Sequence, residues 1–215
     1  MSITNNLQNV LHSIKKGVKL VAVSKTKPIE SILTAYEAGQ RIFGENKAQE
    51  LAQKAELLPK DIEWHMIGHL QSNKVKYIAP FVTLIHALDS EKLLKEINKR
   101  AAQNNRIIDC LLQFHIAQEQ NKFGLNEDEA EELLRKQSCY HNIRIVGLMG
   151  MATFTSNQEQ IKSEFAALKS IFDSIQKKHP HIQILSMGMS GDYLIAIKEG
   201  SNMVRLGSAI FGTRQ

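Results

Sequence analysis

Lys19-Leu20-Val21-Ala22-Val23-Ser24-Lys25-Thr26-Lys27-Pro28 is an apolar run that ends abruptly in a lysine. Val18, Leu20, Val21, Ala22 and Val23 read as a strand covered on both faces, because a parallel strand flanked by helices is continuously apolar. Pro28 fits the first turn of a following helix, where its missing N–H costs nothing. Lys25 therefore stands at a strand-to-helix junction, with Lys27 as its solvated neighbour. A lysine held against apolar surroundings loses part of its preference for the charged form, which makes a neutral amine available for Schiff-base chemistry. A surface lysine that merely closes a strand is the commoner case, so the rest of the chain has to decide.

Outward from this stretch the same pattern repeats. Upstream, Leu7, Val10, Leu11 and Ile14 share a helical face, and Gly17 supplies a left-handed stop. Downstream, a helix over Pro28 to Ala38 ends at Gly39, and further strands are expected at Arg41–Asn46, Glu63–Gly68, Thr83–Leu88, Ile107–Ile116, Arg144–Met151, Ile182–Met187 and Met203–Ile210. Helices are expected at Lys47–Leu58, Ser72–Ile78, from a Ser90 cap through Asn104, from an Asn126/Glu129 capping pair to Gln137, through Lys178, and over Gly191–Glu199. Eight strands separated by helical segments predict parallel pairing with right-handed crossovers. A (β/α)8 barrel usually takes about 250 residues, so 215 residues would make a compact one with an extra amino-terminal helix. An open doubly wound sheet is the rival, but the first strand–helix turn carries no GxGxxG and no acidic residue is placed for a ribose.

Composition narrows the class. At 43% hydrophobic, with four prolines and no Gly/Ser-rich linker, residues 1–215 are expected to form one domain. Cys110 and Cys139 have neither CxxC nor paired zinc spacing, which speaks for reduced thiols and a cytoplasmic protein. No apolar run is long enough for a signal peptide core or a bilayer span, so no membrane partner is expected. The net charge of +5 is mild and comes without basic blocks interleaved with aromatics, which argues against nucleic acid and is compatible with a phosphorylated small molecule.

In a barrel, active groups stand at the carboxyl ends of strands, and phosphate commonly binds after strands seven and eight. Those loops read Leu185-Ser186-Met187-Gly188-Met189-Ser190-Gly191-Asp192 and Val204-Arg205-Leu206-Gly207-Ser208-Ala209-Ile210-Phe211-Gly212. Their glycines admit close backbone approach, and Ser190 and Ser208 add hydroxyls, so together they make a phosphate cradle, with Ser190 or Gly191 opening a helix. Arg205 interrupts an apolar strand and must have a partner, either a structural one or a ligand's ring nitrogen or phosphate. Asn46 could bond a ligand hydroxyl or cap a helix. His65 and His69 have no third ligand in view, so no metal site is expected, and Trp64 and His65 are expected to line the barrel. Met149, Met151, Met187 and Met189 stand where they could cover a flat ring, although core filling is the commoner role.

Taken together, Val23-Ser24-Lys25-Thr26-Lys27-Pro28, Phe43-Gly44-Glu45-Asn46, the run from Trp64-His65-Met66-Ile67-Gly68 through His69-Leu70-Gln71-Ser72-Asn73-Lys74, Leu185 to Ser190 and Val204 to Gly212 resemble the pyridoxal phosphate homeostasis protein family, end to end. The resemblance implies a single-domain barrel like the amino-terminal domain of alanine racemase, binding pyridoxal 5′-phosphate as an aldimine on Lys25. It further implies that Ser190, Gly207 and Ser208 hold the phosphate, that Arg205 approaches the pyridine nitrogen and that Asn46 sits near the ring. Lys122 matches a second lysine used in handling the cofactor, although Ala117-Gln118-Glu119-Gln120 departs from the family's pattern there. Gly150-Met151-Ala152 departs from the proline-containing ending usual after strand six.

Pyridoxal phosphate is an electron sink whose fate depends on the acids and bases around it. Related racemases and decarboxylases have a second β-rich domain, whereas this chain ends at Gln215, just after strand eight. The resulting expectation is a carrier that buffers the cofactor or delivers it to pyridoxal-phosphate-dependent apoenzymes, with little or no catalysis. A weak amino-acid racemase using Tyr193, His65 or Lys122 as base, and a cofactor-free sugar-phosphate enzyme, are the alternatives. Closure of all strands weakly favours a monomer.

Overall fold

The computed structural model describes residues 2–118 and 124–212. Lys122 lies outside the described residues. Eight strands form a closed parallel barrel in chain order: β1 (Lys19–Val23), β2 (Ile42–Glu45), β3 (Glu63–Met66), β4 (Leu84–Leu88), β5 (Ile108–Phe114), β6 (Ile143–Gly150), β7 (Ile184–Ser186) and β8 (Met203–Leu206). β8 closes on β1, with Val21 beside Arg205 and Ala22 beside Leu206. Helix α1 (Ile3–Ser13) precedes the barrel, and α2 (Ile29–Glu37), α3 (Ala48–Leu57), α4 (Val75–Ile78), α5 (Glu91–Gln103), α6 (Glu127–Lys136), α7 (Gln158–Lys178), α8 (Tyr193–Lys198) and α9 (Ser208–Phe211) follow successive strands. The (β/α)8 architecture and the extra amino-terminal helix agree with the sequence reading.

Alternation along each strand sorts the side chains into two layers. Val21, Leu84, Leu111, Met149 and Met203 pack on one another inside the barrel. Residues of the other parity, such as Leu20, Ala22, Phe43, Ile85, Leu112, Leu148 and Val204, pack outward against the helices. Trp64 belongs to this outer layer, with its ring 6.0 Å from Phe43. It therefore does not line the barrel, contrary to expectation, because its neighbour His65 takes the inward parity.

Local signals explain the helix ends. Asn126 accepts from Glu129 N–H while Glu129 Oε2 accepts from Asn126 N–H, each at 2.9 Å, a complete capping box. Gly39 adopts φ +100° just past α2, where a left-handed residue ends the helix. Three expectations are corrected. Pro28 is the N-cap of α2, with φ −68° and ψ 161°, rather than its first helical residue. α8 starts at Tyr193, so neither Ser190 nor Gly191 opens a helix. The eighth strand stops at Leu206, because Ser208–Phe211 turns into α9.

Candidate functional site

A cavity of about 620 Å³ opens at the carboxyl ends of the strands. Lys25, Asn46, Ser190, Arg205, Gly207 and Ser208 all line it, so the barrel brings together every predicted site residue within the described part of the chain. β1 supplies Lys25, two residues beyond Val23 on the same inward parity. Gly68 allows the loop after β3 to pack on Asn46, since a Cβ there would lie 2.6 Å from the Asn46 carbonyl oxygen.

Arg205 is 4% exposed. Its Nη1 donates to Ser186 Oγ at 2.5 Å and its Nη2 to the Gly150 carbonyl at 3.1 Å. Burial pulls its pKa down to about 10, partly countered by the charge of Asp192. The partners expected of a charge within an apolar strand are thus neutral oxygens, and the guanidinium still borders the cavity. Behind Ser186 lie His86, with Nδ1 3.3 Å from the hydroxyl, and His65, whose Nδ1 is 3.1 Å from His86 Nε2. Burial holds both imidazoles below their ordinary range, His65 at about 3.

The loops after β7 and β8 are joined by one hydroxyl. Ser190 Oγ accepts from the Gly207 N–H at 3.2 Å and the Ala209 N–H at 3.3 Å, which leaves the Ser190 O–H to donate elsewhere. Asp192 accepts from Met189 N–H at 2.5 Å, and burial raises its carboxyl above the usual range. Lys27 is not a solvated neighbour: its Nζ donates to the Phe211 and Gly212 carbonyls at 3.2 and 3.3 Å and ties the Lys25 turn to the end of α9. Of the four methionines, Met151 and Met189 line the cavity, whereas Met149 and Met187 are fully buried.

Two residues considered as bases stand elsewhere. The Tyr193 hydroxyl is 2.9 Å from Ser13 Oγ on α1, and His65 is enclosed within the barrel. Neither lines the cavity. Among the described residues no group of three or more His, Cys, Asp or Glu is placed to hold a metal ion, and no helix is long and apolar enough to cross a membrane.

Several cavity residues were not among those expected from the sequence to bind a ligand. Gln113 follows the inward parity of β5, and Asp192 lies within the seventh loop. His69 lines the mouth with Nδ1 3.3 Å from Asp89 Oδ2. The parity of Leu111 and Gln113 was a usable signal; the His69–Asp89 pairing, between the ends of different strands, was not. Together these groups offer an amine, a buried cation and hydroxyl donors between apolar walls that include Val23, Ile67 and Met151. That set can receive a carbonyl carbon and an anionic group on the same flat molecule.

Comparison with known proteins places this geometry. The family "Alanine racemase, N-terminal domain" matches residues 1–215. The pyridoxal phosphate homeostasis protein of Aquifex aeolicus is 38% identical over 230 residues, spanning all of both chains. That of Schizosaccharomyces pombe is 40% identical over 202 residues, covering 93% of this chain and 85% of the relative. Among solved structures, PipY of Synechococcus elongatus PCC7942 superposes with a TM-score of 0.93 without PLP and 0.89 with PLP bound, at 32% identity, covering 98% of this chain and all of PipY. An alanine racemase from Clostridium difficile 630 shares the fold, with a TM-score of 0.82 at 13% identity, and this chain spans 60% of it. The chain belongs to the alanine racemase N-terminal domain family and, within it, to the pyridoxal phosphate homeostasis proteins.

Proposed function

We propose that this protein binds pyridoxal 5′-phosphate covalently through Lys25, and that it buffers the cofactor or delivers it to apoenzymes with little or no catalysis of its own, acting as a monomer. The observation that carries the reading is the single cavity lined by Lys25, Arg205, Ser190, Gly207 and Ser208. PipY, at 32% identity, has been solved with PLP bound. The donor set fits the group: an amine for its aldehyde, a guanidinium for its ring nitrogen, and hydroxyls on the two joined loops for its phosphate.

Bound pyridoxal phosphate supplies an electrophilic carbon and an electron-withdrawing ring. The protein's own part is to hold and to restrict. Lys25 presents the amine from the end of β1. Arg205, locked by Ser186 and Gly150, keeps its proton at neutral pH even at a pKa of about 10, so it donates and does not protonate a ring nitrogen. Ser190 and Ser208 donate to an anion, with Ser190 already fixed by two amides. Asn46 faces the same space. Met151, Ile67 and Val23 exclude water from the walls.

The test is an absorption spectrum of the protein with pyridoxal phosphate added, beside Lys25→Ala, followed by borohydride reduction and peptide mapping. A visible band with the label on Lys25, lost in the variant, supports the reading. Label scattered over surface lysines, with Lys25→Ala behaving as the parent does, overturns it.

A further inference from the structure

Thr26, the residue after Lys25, has φ +63°, in the left-handed region that a β-branched residue rarely adopts. Such a conformation persists only where its surroundings impose it. Both peptide units flanking Lys25 are held, and by the same group of side chains. On the amino side, the Ser24 carbonyl accepts from Lys54 Nζ at 2.8 Å, while Ser24 Oγ donates to Glu45 Oε1 at 2.6 Å. On the carboxyl side, the Thr26 N–H donates to Glu50 Oε1 at 2.7 Å. Lys54 joins the two grips, with Nζ 2.8 Å from Glu45 Oε1 and 2.7 Å from Glu50 Oε1, so its three donors are all used.

The Glu45–Lys54 part of this cluster is enclosed. The side chain of Lys54 is 8% exposed and that of Glu45 not at all. It lies on the outward parity of β1 and β2, under α3, and none of Glu45, Glu50 or Lys54 lines the cavity. Burying such an ion group is a weak device for stability, because each ion loses hydration and an apolar replacement is often as stable. What an apolar replacement could not do is hold a carbonyl and an N–H on either side of one lysine. Among the described residues Glu45 Oε2 has no hydrogen-bond partner, so the carboxylate is placed for its Oε1 contacts rather than for full satisfaction.

We propose that Glu45, Lys54 and Glu50 are positioning residues for Lys25: by clamping the peptide units on both sides of it, they fix the line along which its amine meets the cofactor's aldehyde. The inference rests on the proposed attachment of pyridoxal phosphate to Lys25. In that step the amine lone pair forms the bond to the aldehyde carbon, and the aldehyde oxygen leaves as water with both amine protons. No further reactant is needed. The rate depends on how well the amine is aimed, and a displacement of about 1 Å can cost a factor of about 100.

The test uses the full chain and its Glu50→Ala, Glu50→Gln, Lys54→Met and Lys54→Arg variants. Each is mixed with pyridoxal phosphate, quenched with borohydride at timed intervals and mapped by peptide, with circular dichroism and thermal melting on the same samples. Glu50→Ala and Lys54→Met are expected to slow labelling of Lys25 by about tenfold or more in folded protein, leaving surface-lysine labelling unchanged. Glu50→Gln keeps the acceptor for Thr26 N–H and Lys54→Arg keeps the buried donor, so both should label Lys25 within about threefold of the parent. Folded Glu50→Ala that labels Lys25 at the parental rate overturns the proposal, and so does a fall that merely tracks loss of folded protein. If Lys54→Met does not fold, Glu50→Ala decides alone, since the Glu50 side chain, 24% exposed, is the least buried of the three. A parent that fails to label Lys25 overturns the cofactor reading itself, and this inference with it.

Discussion

Arg205 donates to Ser186 Oγ, and His86 and His65 stand in line behind that hydroxyl. A guanidinium has no acceptor, so the Ser186 oxygen accepts from it and keeps its hydrogen and a second lone pair for His86 Nδ1, 3.3 Å away. His86 Nε2 in turn lies 3.1 Å from His65 Nδ1, and the His86 tautomer sets which way both of its bonds run. A hydrogen-bonded chain through two neutral histidines thus runs into the barrel from the cation that borders the cavity.

Ser186→Ala breaks this chain at its junction. Arg205 Nη1 and His86 Nδ1 would both be left buried without their partner, and each buried unsatisfied group costs about 1–3 kcal/mol. Urea unfolding of Ser186→Ala should show a lower midpoint by that order with an unchanged slope, while Ser186→Thr, which keeps the hydroxyl, should lose less. A parental midpoint in Ser186→Ala would mean that the hydroxyl carries none of the chain.

The same histidines make stability depend on pH. In the folded chain His65 titrates at about 3 and His86 well below its ordinary value, in both cases mainly through burial. The unfolded chain takes up these protons near the ordinary value of about 6.5. Between the two limits the unfolded state binds more protons, so stability is complete above about pH 6.5 and falls as the pH drops, by up to about 1.4 kcal/mol per unit for each histidine. Glu45 acts in the opposite sense, since burial raises its carboxyl from the ordinary 4.5. The histidine share is therefore best read by difference: over about pH 7.5 to 5.5, His86→Gln should lose stability with falling pH less steeply than the parent. Equal slopes would show that His86 does not stay neutral in the folded barrel.

The architecture was legible because each strand is written as a short apolar run with a helix behind it, and because Lys25 stands at the end of the first. The cavity residues in the seventh and eighth loops were legible for a similar reason: a charged Arg205 within an apolar strand demands an explanation. Glu45 made the same demand at the end of Phe43-Gly44-Glu45, yet Asn46 beside it, as a ligand partner or helix cap, was the residue singled out. Its answer, Lys54, comes from the middle of α3, where a lysine looks like a solvated face until β2 is laid beneath it. The two-histidine chain was illegible on other grounds. His65 and His86 are 21 positions apart and meet only because β3 and β4 are adjacent with matching inward parity. Trp64 was misplaced by one residue of parity, which in a strand is the whole difference between inside and outside.

Asn126 offers a prediction that leaves the cavity untouched. Its capping box with Glu129 satisfies two backbone donors at the start of α6, and Asn-to-Ala at an N-cap typically costs about 1 kcal/mol. Asn126→Ala should therefore melt a few degrees lower, about 2–4 °C for a chain of this size, with cofactor labelling of Lys25 unchanged. A drop much larger than this would mean that α6 holds the barrel closed rather than merely covering it.

Gly147 tests how the barrel closes. Along β5 and β6 the partners run Cys110 with Ile145 and then Leu111 with Gly147, so Val146 is an extra residue that bulges β6. Immediately after it, Gly147 crosses so close to β7 that a Cβ would lie 2.1 Å from the Ile184 carbonyl oxygen. The obstacle is backbone and cannot rotate away, so Gly147→Ala has to push β6 and β7 apart. β7 is only three residues long and has few ladder bonds with which to absorb the shift. The cost should be at the upper end of overpacking, on the order of 3 kcal/mol, seen as a lower urea midpoint. Because β7 leads into the Ser190 loop, the variant should also bind pyridoxal phosphate more weakly than its stability loss alone explains. Gly147→Ala with parental stability would show that β6 and β7 are not held at this spacing in solution.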